Sequence, residues 1–104
     1  MVKTTPKGNN QPSEKAIVNA IKSYLDKLPG CYVIKTHGSI YGAGQPDLLG
    51  CYQGRTLALE VKRPGGKPTK LQAAILKKWG AAGAITGVVT SVEEVEELLG
   101  QDDN

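Results

Sequence analysis

A chain of 104 residues, 39% apolar and 22% charged, has the size and make-up of one ordinary globular domain and leaves no room for a separate catalytic partner domain. No apolar run approaches the ~18 residues that cross a bilayer, and the opening MVKTTPKGNNQPS has no apolar segment behind its lysine, so neither a membrane span nor a secretory signal is expected and a cytoplasmic location is. The net charge of +3 hides a segregation: Glu93, Glu94, Glu96, Glu97, Asp102 and Asp103 crowd the C-terminal end, and residues 1–92 hold all 13 basic residues against four acids, or +9, which favours a polyanionic partner.

In chain order, residues 1–12 read as a flexible basic arm, with two prolines, two lysines and two asparagines. Ser13 is placed to cap a helix over about 13–28, in which Ile17, Ile21, Tyr24, Leu25 and Leu28 recur at helical spacing until Pro29-Gly30 stops it. Glu14 lies in its first turn, where it suits the helix dipole. CYVIKTH (31–37) is β-rich and is followed by the glycine-loosened loop GSIYGAGQ. PDLLGCY and RTLALEVK flank Gln53-Gly54 and read as a hairpin. RPGGKPT is a loop; Thr69 caps a helix carrying Leu71, Ile75, Leu76 and Trp79, ending near Gly80 to Gly83. AITGVVT is a further strand, and SVEEVEELLG a last helix opened by a Ser91/Glu94 capping box and closed by Gly100, with 101–104 left as an acidic tail. The order αβββαβα predicts one α/β domain over 13–100: a mixed sheet with a hairpin for antiparallel pairing, a strand-helix-strand crossover for parallel pairing, and helices on its faces.

Such a sheet favours continuous apolar strands, yet this hairpin carries Asp47, Glu60 and Lys62. If Gln53-Gly54 is the two-residue turn, the register places Asp47 opposite Glu60. Directly opposed residues have β-carbons about 4.5–5.5 Å apart on one face, and Lys62, two residues on, shares that face. Two carboxylates so close repel, and desolvating them costs several kcal/mol per ion unless something offsets it. A divalent cation does so, and an all-oxygen ligand set selects magnesium or manganese over zinc. Beside a basic surface such an ion has a use in phosphodiester hydrolysis, with Lys62 orienting water or neutralising developing charge. The competing reading is a structural trio in which Lys62 compensates one carboxylate and leaves the other unpaired.

Pro46-Asp47 followed by Glu60-Val61-Lys62 resembles the PD-(D/E)xK nuclease superfamily. Glu14 in the first helix, GQPDLLG, LEVKRPGGKPTKLQ and GAITGVVTS before an acidic helix extend the resemblance to its VRR-NUC branch, small stand-alone members included, over about Ser13 to Leu99. The resemblance implies a restriction-endonuclease-like core and a magnesium- or manganese-dependent DNA endonuclease. Its metal ligands would be Asp47, Glu60 and the Val61 main-chain carbonyl, with Glu14 as a further ligand or water contact and Gln72 positioning the lysine or water. It also implies a homodimer acting on branched DNA of the Holliday-junction kind, with the glycine loop 38–45, including Tyr41 and Gly42, near the DNA. Ile40 and Tyr41, or Val92, Val95, Leu98 and Leu99 of the last helix, are the apolar candidates for an interface. Cleavage of duplex, single-stranded or flap DNA, or DNA binding without catalysis, are the alternatives.

The other signals are weaker. Arg63, Lys67 and Lys70 are placed to meet DNA phosphates, contacts that give affinity without sequence choice. GGKPT fails as a nucleotide-binding loop, since Pro68 follows the lysine where serine or threonine belongs, so no nucleotide cofactor is expected. His37 is the only histidine, which excludes chemistry built on paired histidines and leaves it a surface or hydrogen-bonding role. Trp79 and Tyr24 read as core residues, and Cys31 and Cys51 as buried free thiols.

Overall fold

The computed structural model describes residues 11–37 and 42–102 and shows seven elements in the expected order: α1 (Glu14–Asp26), β1 (Cys31–Lys35), β2 (Leu48–Tyr52), β3 (Arg55–Val61), α2 (Lys70–Ala81), β4 (Ile85–Val89) and α3 (Val92–Asp102). The four strands form one sheet in the order β1-β2-β3-β4, antiparallel except for the β3–β4 pair. The expected arm lies outside the described residues up to position 10.

Local chemistry sets most boundaries. The Ser13 hydroxyl accepts the Ala16 N–H at 3.0 Å and opens α1. Gln53 and Gly54 both have positive φ, 49° and 86°, as a two-residue hairpin turn matched to strand twist requires, and this pins Tyr52 to Arg55 and Leu48 to Leu59. β1 stops two residues short of the expected end because His37 turns into the left-handed region at φ 53°. α3 runs through Gly100 to Asp102 instead of closing there, so the expected acidic tail begins inside the helix. Its start differs too. Ser91 Oγ accepts the Glu94 N–H, but the Glu94 carboxylate takes the N–H and hydroxyl of Thr90 rather than closing a capping box on Ser91.

Alternation along the strands divides the chain between two faces. On one, Val33, Leu48, Tyr52, Leu57, Leu59, Val61, Ile85 and Val89 pack with Ile17, Ile21 and Leu25 of α1 and Val95 and Leu99 of α3 to form the core. α3 approaches most closely at Gly87, where a β-carbon would stand 2.8 Å from Leu98. Val92 and Leu98 also pack against this core, so the last helix covers its own sheet and its apolar residues are not a surplus left for an interface. Tyr24 packs there as expected.

The opposite face carries Tyr32, Ile34, Leu49, Cys51, Thr56, Ala58, Glu60, Thr86 and Val88 by register. α2 lies over its β3–β4 half, with Gly80 against Thr86. The thiols depart from expectation: Cys51 is exposed and Cys31 half-buried. Cys31 pairs with Tyr52 and Cys51 with Tyr32, so the two sulfurs point to opposite faces and cannot bridge. Burial and the nearby Asp26 carboxylate push the Cys31 thiol pKa up.

Candidate metal centre

The hairpin register, carried one residue beyond β2, brings Asp47 opposite Glu60 on the face covered by α2. Asp47 is half-buried at the mouth of the sheet, while Glu60 is 2% exposed. Lys62 Nζ stands 3.5 Å from Glu60 Oε2, too far for a good hydrogen bond, and that buried oxygen has no hydrogen-bond partner. Burial first, and the Asp47 charge second, raise the Glu60 pKa to about 7 against the pull of Lys62. Lys62 therefore does not satisfy the pair.

Asp47 is held from two sides. Its Oδ2 accepts the Val61 N–H at 2.8 Å, and its carbonyl accepts the Thr36 N–H at 3.0 Å. The N–H and C=O of one strand residue point the same way, so the Val61 carbonyl faces the Asp47 side too. Opposite it by register stands Pro46, whose nitrogen has no proton to give. The arrangement thus offers Oε2 of Glu60, the second oxygen of Asp47 and a main-chain carbonyl. Oxygen donors alone, two of them charged, fit a magnesium or manganese ion, which ordinarily binds through one or two carboxylates and completes its shell with water and substrate phosphate.

Thr36, which the sequence did not single out, is buried and donates its hydroxyl to the Pro46 carbonyl at 2.8 Å. It fastens the Pro46-Asp47 peptide to the end of β1. Thr36→Val keeps the shape but strips that donor, and we expect a loss of about 1–3 kcal/mol in chemical denaturation, the cost of a buried carbonyl left unsatisfied.

A second fastening comes from α2. Gly44, at φ 83°, lies so close to the helix that a β-carbon would stand 2.7 Å from Leu71 and 2.8 Å from Ile75. The Trp79 indole N–H donates to Gln45 Oε1 at 3.1 Å, so Trp79, half-buried, holds the loop before Pro46 and does not join the main core.

The remaining expected site residues fall in different places. Glu14 is exposed at the start of α1, and among the described residues no three acidic, histidine or cysteine side chains gather, so it stays apart from the pair. Gln72 forms a capping box: its Oε1 accepts the Thr69 N–H at 2.9 Å while its own N–H donates to Thr69 Oγ1 at 3.1 Å. Sequence reasoning missed that capping role, although T-x-x-Q is its signature. Arg63 is half-buried in the turn closed by Gly66 N–H on its carbonyl, and Lys67, Lys70 and Gly42 are exposed. His37 is exposed, as a surface role requires, and Tyr41 and Ile40 lie outside the described residues.

Charge follows the two faces of the sheet. α2, on the carboxylate side, carries Lys70, Lys77 and Lys78 with no acid; α3, on the other, carries Glu93, Glu94, Glu96 and Glu97 with no base. Lys70 stands at the N-terminus of its helix, where a cation is unfavourable unless an anion joins it.

A four-stranded mixed sheet flanked by helices in the order αβββαβα, here with paired carboxylates at the hairpin mouth, is a restriction-endonuclease-like fold. Among solved structures the chain is similar to one described as a VRR_NUC domain protein, at 18% identity, a TM-score of 0.68 and 88% of each chain covered. That likeness of fold agrees with the resemblance carried by the sequence motifs. No protein-family profile matches the sequence, and no curated protein does. Among the described residues no helix is long and apolar enough to cross a membrane.

Proposed function

We propose that this protein is a magnesium- or manganese-dependent endonuclease of the VRR-NUC type that hydrolyses DNA phosphodiester bonds. The observation that carries the reading is the buried Glu60 carboxylate facing Asp47, whose Oε2 lies 3.5 Å from Lys62 and has no hydrogen-bond partner. A structural trio leaves that oxygen with an ion pair to Lys62 and no hydrogen bond, whereas a bound cation would meet it directly.

Asp47, Glu60 and the Val61 carbonyl would hold the ion. When bound, it supplies Lewis-acid polarisation of a phosphoryl oxygen and an acidified water. Lys62 places a cation next to the scissile phosphate and neutralises charge as it develops. Thr36, with the Trp79–Gln45 contact, keeps the Asp47 main chain in place, so the site is assembled before substrate arrives. Gln72 gives its oxygen to the cap and keeps its amide N–H groups as the end suited to orienting a water. Glu14, exposed at a helix start, would take part only through water.

Charge separation supports approach of the DNA from the α2 side, with the acidic α3 on the far face repelling it. Arg63, Lys67 and Lys70 then meet phosphates beside the site. Binding weakens steeply with salt, because each neutralised phosphate contributes about 0.9 to the slope of log K against log salt. Replacing both Lys67 and Lys70 with alanine flattens that slope by roughly 1–2 units in fluorescence anisotropy, with cleavage at saturating DNA retained. An unchanged slope moves the DNA surface elsewhere.

Branched DNA is the proposed substrate, cut by a symmetric homodimer, since paired cuts on strands related by a two-fold axis need two sites so related. The test is incubation of purified protein with a labelled four-way junction, a matched duplex and a flap in magnesium, manganese or EDTA, alongside sedimentation equilibrium. Cleavage with either metal and none in EDTA establishes the class; a particle near 11 kDa with and without junction removes the dimer.

A further inference from the structure

We infer that the β1–β2 half of the carboxylate-bearing sheet face is a shelf on which Tyr32 stacks an unpaired base of the same nucleic acid. This rests on the DNA reading above and specifies the form of DNA that the site face takes. Tyr32 is 72% exposed, the most exposed large apolar side chain among the described residues. Its cross-strand partner Cys51 is exposed, and the adjoining pair Ile34 and Leu49 is half-buried.

All four share the face of Asp47 and Glu60 by strand register, and they are left uncovered because α2 lies over β3 and β4. Tyr32 stands four residues along β1 from Thr36, whose N–H marks the position of Asp47, or about 13 Å at strand rise.

The chemistry of the shelf selects a base over a phosphate. None of the four side chains is charged. The nearby basic residues, Lys35 on β1 itself and Arg55 on β3, belong by register to the opposite face and are engaged with Asn19 and the Gly83 carbonyl. Phosphates instead find their cations on the α2 side, so a strand crossing the site would have backbone contacts on one flank and an aromatic platform on the other. That is the combination by which single strands are held. An aromatic ring standing out of a sheet can meet a base face only where the stack is open, at a branch, flap, nick or end. A second copy of the chain is the weaker occupant, since four side chains, two of them half-covered, fall well short of the ~800 Å² per partner that a stable dimer needs.

The test compares a continuous duplex with a duplex of equal length bearing a single-stranded branch, measured by anisotropy in EDTA with wild type, Tyr32→Ala and Tyr32→Phe. Tyr32→Ala weakens binding to the branched DNA about ten-fold or more, changes duplex binding less than two-fold, and Tyr32→Phe matches wild type on both. With 2-aminopurine in the branch, wild type and Tyr32→Phe alter its fluorescence on binding and Tyr32→Ala does not. Because the side chain is exposed, melting temperatures stay within a few degrees, and a larger fall with loss on both DNAs overturns the stacking role. Equal affinities of all three proteins overturn it while leaving the nuclease reading intact. A wild type that binds neither DNA overturns both. A wild-type dimer that becomes a monomer in Tyr32→Ala makes the shelf an interface between copies and overturns it too.

Discussion

Asp47→Asn and Glu60→Gln each lower metal-dependent DNA cleavage by at least about a hundred-fold, the scale reached when even an indirect partner of a bound metal is lost, and leave DNA affinity nearly unchanged. Neither change touches a basic residue. In Asp47→Asn the side-chain amide oxygen still accepts the Val61 N–H, so the fold at the hairpin mouth survives and only the charge goes. Two measurements separate the site from the fold: single-turnover cleavage with magnesium, and anisotropy of the uncut DNA in EDTA. Undiminished cleavage in either variant removes that carboxylate from the site. Manganese titration by calorimetry adds a reading independent of turnover, in which both variants bind the ion more weakly.

The second large effect is on stability, and its sign is opposite to that of most polar substitutions. Glu60 titrates at about 7 in the folded protein against 4.5 in an ordinary environment. Below pH 4.5 folded and unfolded chains both hold the proton, and the native state suffers no penalty from this group. As pH rises towards 7 the unfolded chain releases the proton while the folded one keeps it, so stability falls, by about 3 kcal/mol in all, and then levels off. In EDTA at about pH 8, Glu60→Gln is therefore more stable than wild type, and the two converge near pH 4. Added magnesium or manganese raises the wild-type melting temperature at that alkaline pH and does little for the variant, because a ligand that binds only the native state stabilises it. A variant that melts below wild type there in EDTA shows instead that Lys62 holds Glu60 as a structural ion pair. Asp47→Asn gives a graded version: it removes the second cause of the shift, so Glu60 titrates lower but, still desolvated, above its ordinary value.

The arrangement has a clear logic. A buried carboxylate pair with one oxygen unsatisfied destabilises the metal-free protein, and the ion that relieves it is the one the chemistry needs. Thr36 and Trp79 hold the chain that carries Asp47 from both sides, which keeps the pair together despite its repulsion.

By itself the sequence determined the element order, the hairpin register and the pairing of Asp47 with Glu60. Each follows from local rules: helical or alternating spacing, glycine at a turn that demands positive φ, and a two-residue loop that fixes which positions face each other. It also placed Lys62 on the same face, since alternation along a strand leaves no freedom. The tertiary structure alone decided what those groups meet. Whether Lys62 closed the gap on Glu60 depended on a distance that no pattern encodes. Glu14 and Gln72 were legible as polar residues near the right elements, but a helix start and a capping box claim such residues as readily as a site does. Thr36 carries no signal at all, because one buried hydroxyl just past a strand end is defined only by the carbonyl it reaches, that of Pro46. The exposure of Tyr32 and Cys51 depended on how far α2 extends across the sheet, and that is set by the crossover from β3 to β4, a property of packing rather than of any residue in β1.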